Sequence, residues 1–320
     1  VVCGNIGNAL SGEVGRIERE TLVVLEVSSF QLERIEKFKP HTAVILNITD
    51  DHLDRYKDFG QYSSEKLKVF SNQGEDDFLI LNHDAANVRE LDGRSHSKTL
   101  YFSKSTKVNG AYAKGGMIRI SLEGKDRELF SIKEIKLNGL HNLENVLVSC
   151  LVAAMNGVSA ESMKRSVRYF KGLRHRFETV DTIEGVEYID DSKGTTVDST
   201  YRALESCAKP VILIAGGKDK HGDYGRIRAL IKNKAKHLIL IGEARDSIRS
   251  ALAGAVDTRD AATLPEAVMT AASLAKRGDA IVLSPMCSSF DMFRDYKERG
   301  EVFMETVRTL KTISAGRKGV

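Results

Sequence analysis

Short apolar runs recur along this chain, and each ends in a polar or small residue. Thr21–Glu26 reads TLVVLE, Thr42–Asn47 reads TAVILN and Phe78–Asn82 reads FLILN. Val186–Ile189, Val211–Ala215, Leu238–Ile241 and Ala280–Ser284 follow. Runs of this length and composition are what a strand buried on both faces requires. Between them lie stretches with helical apolar spacing, at 61–70, 143–156, 199–206, 226–232, 244–252, 264–275 and 297–312. Strand and helix alternating at this pace predict an α/β protein. Sheets of that kind place ligands at the C-terminal ends of their strands, where the polar residues of this chain gather.

Residues 99–137 break the rhythm. Short β-prone pieces, with Gly115-Gly116 and Gly124 as turn signals, predict a small antiparallel insert. A chain of 320 residues is long for one core, so two domains are expected, 1–171 and 172–320. The net charge of +4 suits an anionic small substrate, and the scattered basic residues carry no nucleic-acid-binding signature. Cys3, Cys150, Cys207 and Cys287 lack metal-type spacing and read as reduced thiols of a cytoplasmic protein. No apolar run approaches the roughly 20 residues that span a bilayer. The chain opens Val1-Val2-Cys3-Gly4-Asn5, with neither an initiator Met nor a signal peptide, and reads as a fragment whose beginning is missing.

Several strand ends carry residues suited to chemistry. Glu26, before Val27-Ser28-Ser29, suits a Mg²⁺ held against phosphates, or is a solvated strand-end acid. Asp51-His52-Leu53-Asp54 holds potential metal ligands, or caps a helix. Lys66 reads by residue type as a solvated charge. Asn142 and Asn145 share a helix face and can read an adenine edge, or the first simply caps the helix. Arg176 beside His175, at the domain boundary, can neutralise phosphate or form an interdomain ion pair. Asp191-Ser192-Lys193-Gly194-Thr195 lies between a strand and a helix, an arrangement that can hold an anion. Gly216-Gly217-Lys218-Asp219-Lys220 repeats it, with an exposed charged loop as the alternative. In Ser284–Phe293 the small hydroxyls can donate to a carboxylate, while Phe290 and Phe293 read as core.

Taken together, EVSSFQLE, NITDDHLDR, GLRHRFE, DSKGTT, GGKDK and LSPMCSSFDMF resemble the Mur ligases of peptidoglycan synthesis over nearly the whole chain. The SFQLE and SPxxxSFDMF segments point to the D-glutamate-adding branch. The resemblance implies an incomplete P-loop-type central ATPase domain followed by a Rossmann-like, amino-acid-binding domain. It implies a cytoplasmic, Mg²⁺-dependent enzyme, monomeric when complete, with no nucleic-acid or membrane partner. Its substrates would be ATP, UDP-N-acetylmuramoyl-L-alanine and D-glutamate. ATP would phosphorylate the substrate carboxylate, and the D-glutamate amine would attack the acyl phosphate. By position, Glu26 and His52 would ligate metal, and Lys66 would be the carbamylated lysine that supports it. The resemblance thereby reverses the bland reading of Lys66. Asn5 and Ser28 would contact the muramoyl–alanine substrate. Asn142, Asn145, Arg176 and Asp191 would contact nucleotide. Lys193, Thr195, Lys220, Ser289 and Tyr296 would seat D-glutamate, with Lys193, His52 and Lys66 closest to the chemistry. Tyr296 and Thr196 depart mildly from the family pattern.

The family's GTxGKT loop does not occur in these 320 residues. The chain by itself is therefore expected to be catalytically incompetent and to expose an apolar strand edge. Two other readings carry tests of their own. Another amide ligase of the superfamily, a different Mur enzyme or a folylpolyglutamate-synthase-like protein, would show a different amino-acid dependence. A non-catalytic amino-acid-binding module would bind D-glutamate without turnover.

Overall fold

The computed structural model describes residues 1–5, 7–49, 55–137 and 139–317. The chain divides into two compact units. Val1–Ser131 with Leu147–Ala160 form the first, and Ile132–Val146 with Glu161–Val320 form the second.

The first unit begins with β1 (Val2–Gly4), α1 (Leu10–Glu13), β2 (Val24–Glu26) and α2 (Ser29–Leu32). β1 and β2 form a two-stranded parallel sheet, with Gly4 opposite Glu26. Gly4 has φ +121°, and a Cβ there would lie 2.2 Å from the Glu26 carbonyl oxygen, so only glycine lets the two backbones meet. Val2 and Val24 on this sheet are 75% and 52% exposed, an uncovered apolar patch.

β3 (Thr42–Ile45), α3 (Phe59–Leu67), β4 (Phe78–Asn82), α4 (Ala86–Arg89), β5 (Lys98–Ser103), β6 (Gly110–Lys114), β7 (Met117–Leu122) and β8 (Lys125–Ser131) complete the β structure of this unit. Their order is β3-β4-β5-β6-β7-β8 in one six-stranded sheet. One face packs Ala43, Ile45, Leu79 and Leu81 against Tyr62, Phe70, Val88 and Leu91. The expected antiparallel insert is corrected here. β5 pairs parallel with β4, and β6 pairs parallel with β5, so the main sheet continues through both. Only β6-β7-β8 is antiparallel. The cause is Gly110, whose φ of +140° lets β6 close on Tyr101 where a Cβ would sit 1.9 Å from its carbonyl oxygen. The two hairpin turns are as expected. Gly115-Gly116 and Glu123-Gly124 all have positive φ, as turns of type I′ demand.

α5 (Leu140–Met155) has residues in both units, and α6 (Ala160–Tyr169) follows. The second unit then runs β9 (Glu178–Ile183), β10 (Val186–Asp190), α7 (Val197–Ser206), β11 (Val211–Gly216), α8 (Arg228–Lys234), β12 (Ala235–Ile241), α9 (Arg245–Ala251), β13 (Asp257–Asp260), α10 (Leu264–Leu274), β14 (Ala280–Leu283) and α11 (Tyr296–Arg317). Its strand order is β13-β12-β11-β14-β10-β9, parallel except for β9. Alternation along the strands sends Val211, Leu213, Leu238, Leu240 and Val282 to one face, with Leu204, Ile231 and Ile248 of α7, α8 and α9. Ile212, Ile214, Ile239, Ile281 and Leu283 meet Leu264, Val268, Phe303 and Val307 of α10 and α11 on the other. Each such side chain is fully buried and contributes about 1.5–3 kcal/mol.

β14 enters between β10 and β11 although it comes last. The segments after β10, β11 and β14 therefore leave the sheet side by side. They are DSKGT, GGKDK and the SPMCSS stretch.

Candidate functional site

In the first unit the β1–β2 pairing brings Asn5 to Glu26. The Asn5 amide N–H donates to the Glu26 carbonyl at 2.8 Å, and Asn5 Nδ2 donates to Glu26 Oε1 at 3.3 Å. The Glu26 carboxylate is otherwise open to solvent. Ser28 caps α2 in a reciprocal box. Gln31 N–H donates to Ser28 Oγ at 3.3 Å, and Ser28 N–H donates to Gln31 Oε1 at 2.9 Å. Lys66 lies half-buried on α3, its Nζ 5.0 Å from the centre of the Tyr62 ring. His52, with Asp51 and Asp54, lies outside the described residues. A hard cation prefers several oxygen ligands. An exposed Glu26 carboxylate fits that role, and an unmodified Lys66 amine does not.

The second unit assembles more of the expected residues. Ser284 Oγ donates to Asp191 Oδ2 at 2.7 Å, and Met286 N–H donates to the Gly194 carbonyl at 3.0 Å. Lys218 N–H donates to the Ser288 carbonyl at 2.9 Å. These bonds lace the three strand-end segments together. Gly194 is required, because a Cβ would meet Asp191 Oδ2 at 2.5 Å and Ser284 Oγ at 2.8 Å. Thr196, with its side chain accepting from Ser199 N–H, starts α7 immediately beyond.

Lys193 Nζ lies 4.6 Å from the centre of the Tyr296 ring, a cation–π contact that holds the ammonium without neutralising it. Thr195 and Lys220 are partly exposed on their loops, and Ser289 is buried. Arg176 is exposed beside Asp191, and its charge opposes the upward shift of that carboxyl. Asn142 and Asn145 both lie on α5 within the second unit, the former half-buried and the latter exposed. Asp191 is pushed up to about 7, chiefly by burial, against hydrogen bonds from Ser284 and the Phe177 amide.

Sequence reasoning missed the residue that ties these loops down. Arg299 on α11 is fully buried, and among the described residues no carboxylate is hydrogen-bonded to it. Its Nε donates to Ser192 Oγ at 3.0 Å, and Nη2 to the Ser192 carbonyl at 2.8 Å. Nη1 donates to the carbonyls of Cys287 and Ser288. A planar fork of five donors matches two backbone turns at once, which a lysine cannot do. Burial draws its pKa down to about 10.

The cluster of His175, Glu178 and Asp190 holds ligand-type atoms within 4.8 Å of one another. Its donors are already engaged. His175 Nδ1 lies 2.7 Å from Asp190 Oδ2, Asp190 Oδ1 accepts from Ser192 N–H, and Glu178 accepts from His175 N–H. The cluster clamps the GLRHRFE segment to the end of β10. In the first unit, a cleft of about 1000 Å³ lies at the N-terminal ends of β3, β4 and β5, lined by residues such as Thr42, Phe78 and Lys98. None of the described candidate site residues lines it.

Residues 8–153 match the Mur ligase middle domain, and 175–287 match the Mur ligase glutamate ligase domain. The chain belongs to the Mur ligase family. It is 44% identical over 310 residues to a UDP-N-acetylmuramoylalanine–D-glutamate ligase of Geotalea daltonii, covering 97% of this chain and 68% of the relative. It is 42% identical over 315 residues to the enzyme of the same name from a Thermoanaerobacter species, covering 97% and 69%. The chain thus spans about two thirds of the length of these relatives. Among solved structures, it resembles a pseudomurein peptide ligase type C from Methanothermus fervidus, with TM-score 0.66 and 16% identity over 90% of this chain and 68% of that one. It also resembles a MurF ligase from Thermotoga maritima, with TM-score 0.65 and 15% identity over 90% and 68%. At such identities these two likenesses speak to the fold alone.

Proposed function

We propose that the chain supplies the middle and C-terminal domains of an ATP-dependent ligase that adds D-glutamate to UDP-N-acetylmuramoyl-L-alanine through an acyl phosphate, in peptidoglycan precursor synthesis. The observation that carries this reading is the meeting of DSKGT, GGKDK and SPMCSS at adjacent strand ends, together with 44% identity to a relative so named. Lys193, Thr195, Lys220, Ser289 and Tyr296 form the D-glutamate seat. An anion with two carboxylates needs cations left unspent by the fold, and Lys193 rests on a ring rather than on a carboxylate. Asn142, Asn145, Arg176 and Asp191 serve the nucleotide, and Asn5 and Ser28 serve the muramoyl–alanine end.

Glu26 and His52 are the metal ligands, joined by Lys66 if it carries a carbamate. Bound Mg²⁺ would offset the repulsion between phosphate and carboxylate groups. The P-loop-type character of the middle domain, a division at residue 171/172, a monomeric state and a cytoplasmic setting belong to the same proposal. Four buried free cysteines favour a reducing compartment.

The test measures phosphate release by full-length protein supplied with ATP and UDP-N-acetylmuramoyl-L-alanine. Release should depend on D-glutamate, and neither L-glutamate nor D-alanine should replace it. Lys193→Ala should lower kcat/KM for D-glutamate at least about 100-fold, the loss of a charge-assisted contact in the cleft. Equal turnover with another amino acid would reassign the substrate.

A further inference from the structure

We propose that Glu33 is a positioning residue that fixes α3, which carries Lys66, relative to the strand end that carries Glu26. The inference rests on the functional reading above. Glu33 closes α2, seven residues after Glu26, and its carboxylate is gripped from one direction. Arg55 donates from Nε to Oε1 at 3.0 Å and from Nη2 to Oε2 at 2.7 Å, a two-pronged fork. The Tyr56 hydroxyl also donates to Oε1, at 2.8 Å. Arg55 stands three residues beyond His52 in sequence. The Glu33 backbone carbonyl accepts from Lys68 Nζ at 3.0 Å, and Lys68 stands two residues beyond Lys66.

The rings extend the same connection. The Arg55 guanidinium lies 4.7 Å from the centre of the Phe30 ring, and Phe30 stacks on Tyr56 at 5.9 Å. Tyr56 meets Tyr62 at 5.4 Å, and Tyr62 carries the Lys66 ammonium on its face. One glutamate thus joins the end of α2 to Arg55-Tyr56 and to the 3-10 turn that follows α3.

Magnitudes separate positioning from bulk stability. The Arg55 side chain is 51% exposed, and an ion pair that open to water adds little to global stability. Three of the four grips hold the carboxylate and so place the groups beside it, while the fourth, on the backbone carbonyl, survives Glu33→Gln. Glu33 is also drawn down to about 2, chiefly by the Arg55 hydrogen bond, so the fork stays charged at any working pH.

The experiment compares Glu33→Gln, Glu26→Gln and the parent as full-length proteins, with Mn²⁺ as the metal probe. Glu33→Gln should weaken Mn²⁺ binding, read by electron paramagnetic resonance of free Mn²⁺ without turnover, and lower kcat, each about 10-fold or more, as disturbing the support of a metal site does. KM for D-glutamate and the melting temperature should stay near the parent values. Arg55→Lys, which keeps the charge and loses the fork, should move Mn²⁺ half-saturation in the same direction by less. Mn²⁺ response and kcat within twofold of the parent for both variants would overturn the proposal. Full activity in Glu26→Gln would instead overturn the metal-site reading on which it rests.

Discussion

Asp191 is a single residue whose environment can be read in solution. Burial raises its folded pKa from 3.8 to about 7, so between those values the folded chain holds a proton that the unfolded chain has released. Its contribution to stability is therefore greatest at acid pH and is lost as pH rises through that window. Between pH 5 and 6.5 the loss amounts to about 2 kcal/mol. An amide in place of this carboxyl is a neutral mimic that still accepts from Phe177 N–H, so Asp191→Asn should abolish this part of the slope. His175 also loses stability with rising pH, since Asp190 raises its pKa, but only above the ordinary histidine value of 6.5. Burial lowers the pKa of His141, which adds a slope of opposite sign just below 6.5. The difference between parent and Asp191→Asn in urea unfolding at pH 5 and 6.5 therefore isolates the aspartate, and an unchanged slope in the variant would refute the shift. At this scale the sequence was legible in position: Glu26 ends β2 and Lys193 follows β10, as the motifs placed them, while their roles belong to the proposed function. It marked Arg299 and Glu33 as parts of motifs and gave them no role of their own. Their partners are backbone carbonyls and residues outside their own segments, and one sequence does not display these.

Helix α11 shows how an element-level rule can reverse in context. Gly300 sits in its first turns, and replacing a helical glycine with alanine ordinarily gains about 1 kcal/mol. Here a Cβ would lie 2.1 Å from His175 Nδ1 and 2.8 Å from Asp190 Oδ2. Neither group can retreat, because each is buried and bonded to the other. Gly300→Ala should therefore destabilise the chain by about 1–3 kcal/mol, as overpacking does. A rise in urea midpoint would refute this. The elements themselves were legible where burial is two-sided. FLILN became β4 at its predicted bounds, and VILIAG became β11. Strands β9 and β13 escaped notice because they lie at sheet edges. β13 is the sequence DTRD, with no buried residue to mark it. β6 escaped as a parallel strand because its only signal is Gly110, a backbone requirement without a hydrophobic signature.

At the scale of the whole molecule, the question is which stretch of chain can fold unaided. Both apolar layers of the second sheet draw their members from residues 177–310. Every strand of that sheet also lies within 172–320. The compact unit reaches further back, to Ile132–Val146 and α6. His141 lies 3.3 Å from Ser206 Oγ, and Arg168 donates to Glu134 at 2.8 Å. The second contact joins two outlying pieces to each other and leaves the sheet untouched. A fragment of 172–320 should therefore fold, although it gives up the His141 contact, the approach of Leu137 to Gly172 and the cover of α6. The chain has no tryptophan, so tyrosine near-UV circular dichroism reports packing and far-UV reports helices and strands. The two signals should disappear together in one urea transition, as a two-state domain requires. Fragment 161–320, which restores α6, should shift the midpoint only slightly. A 172–320 fragment that keeps its far-UV signal, lacks tyrosine signal and binds a hydrophobic dye would be a molten globule. That outcome would place the folding boundary upstream of residue 172.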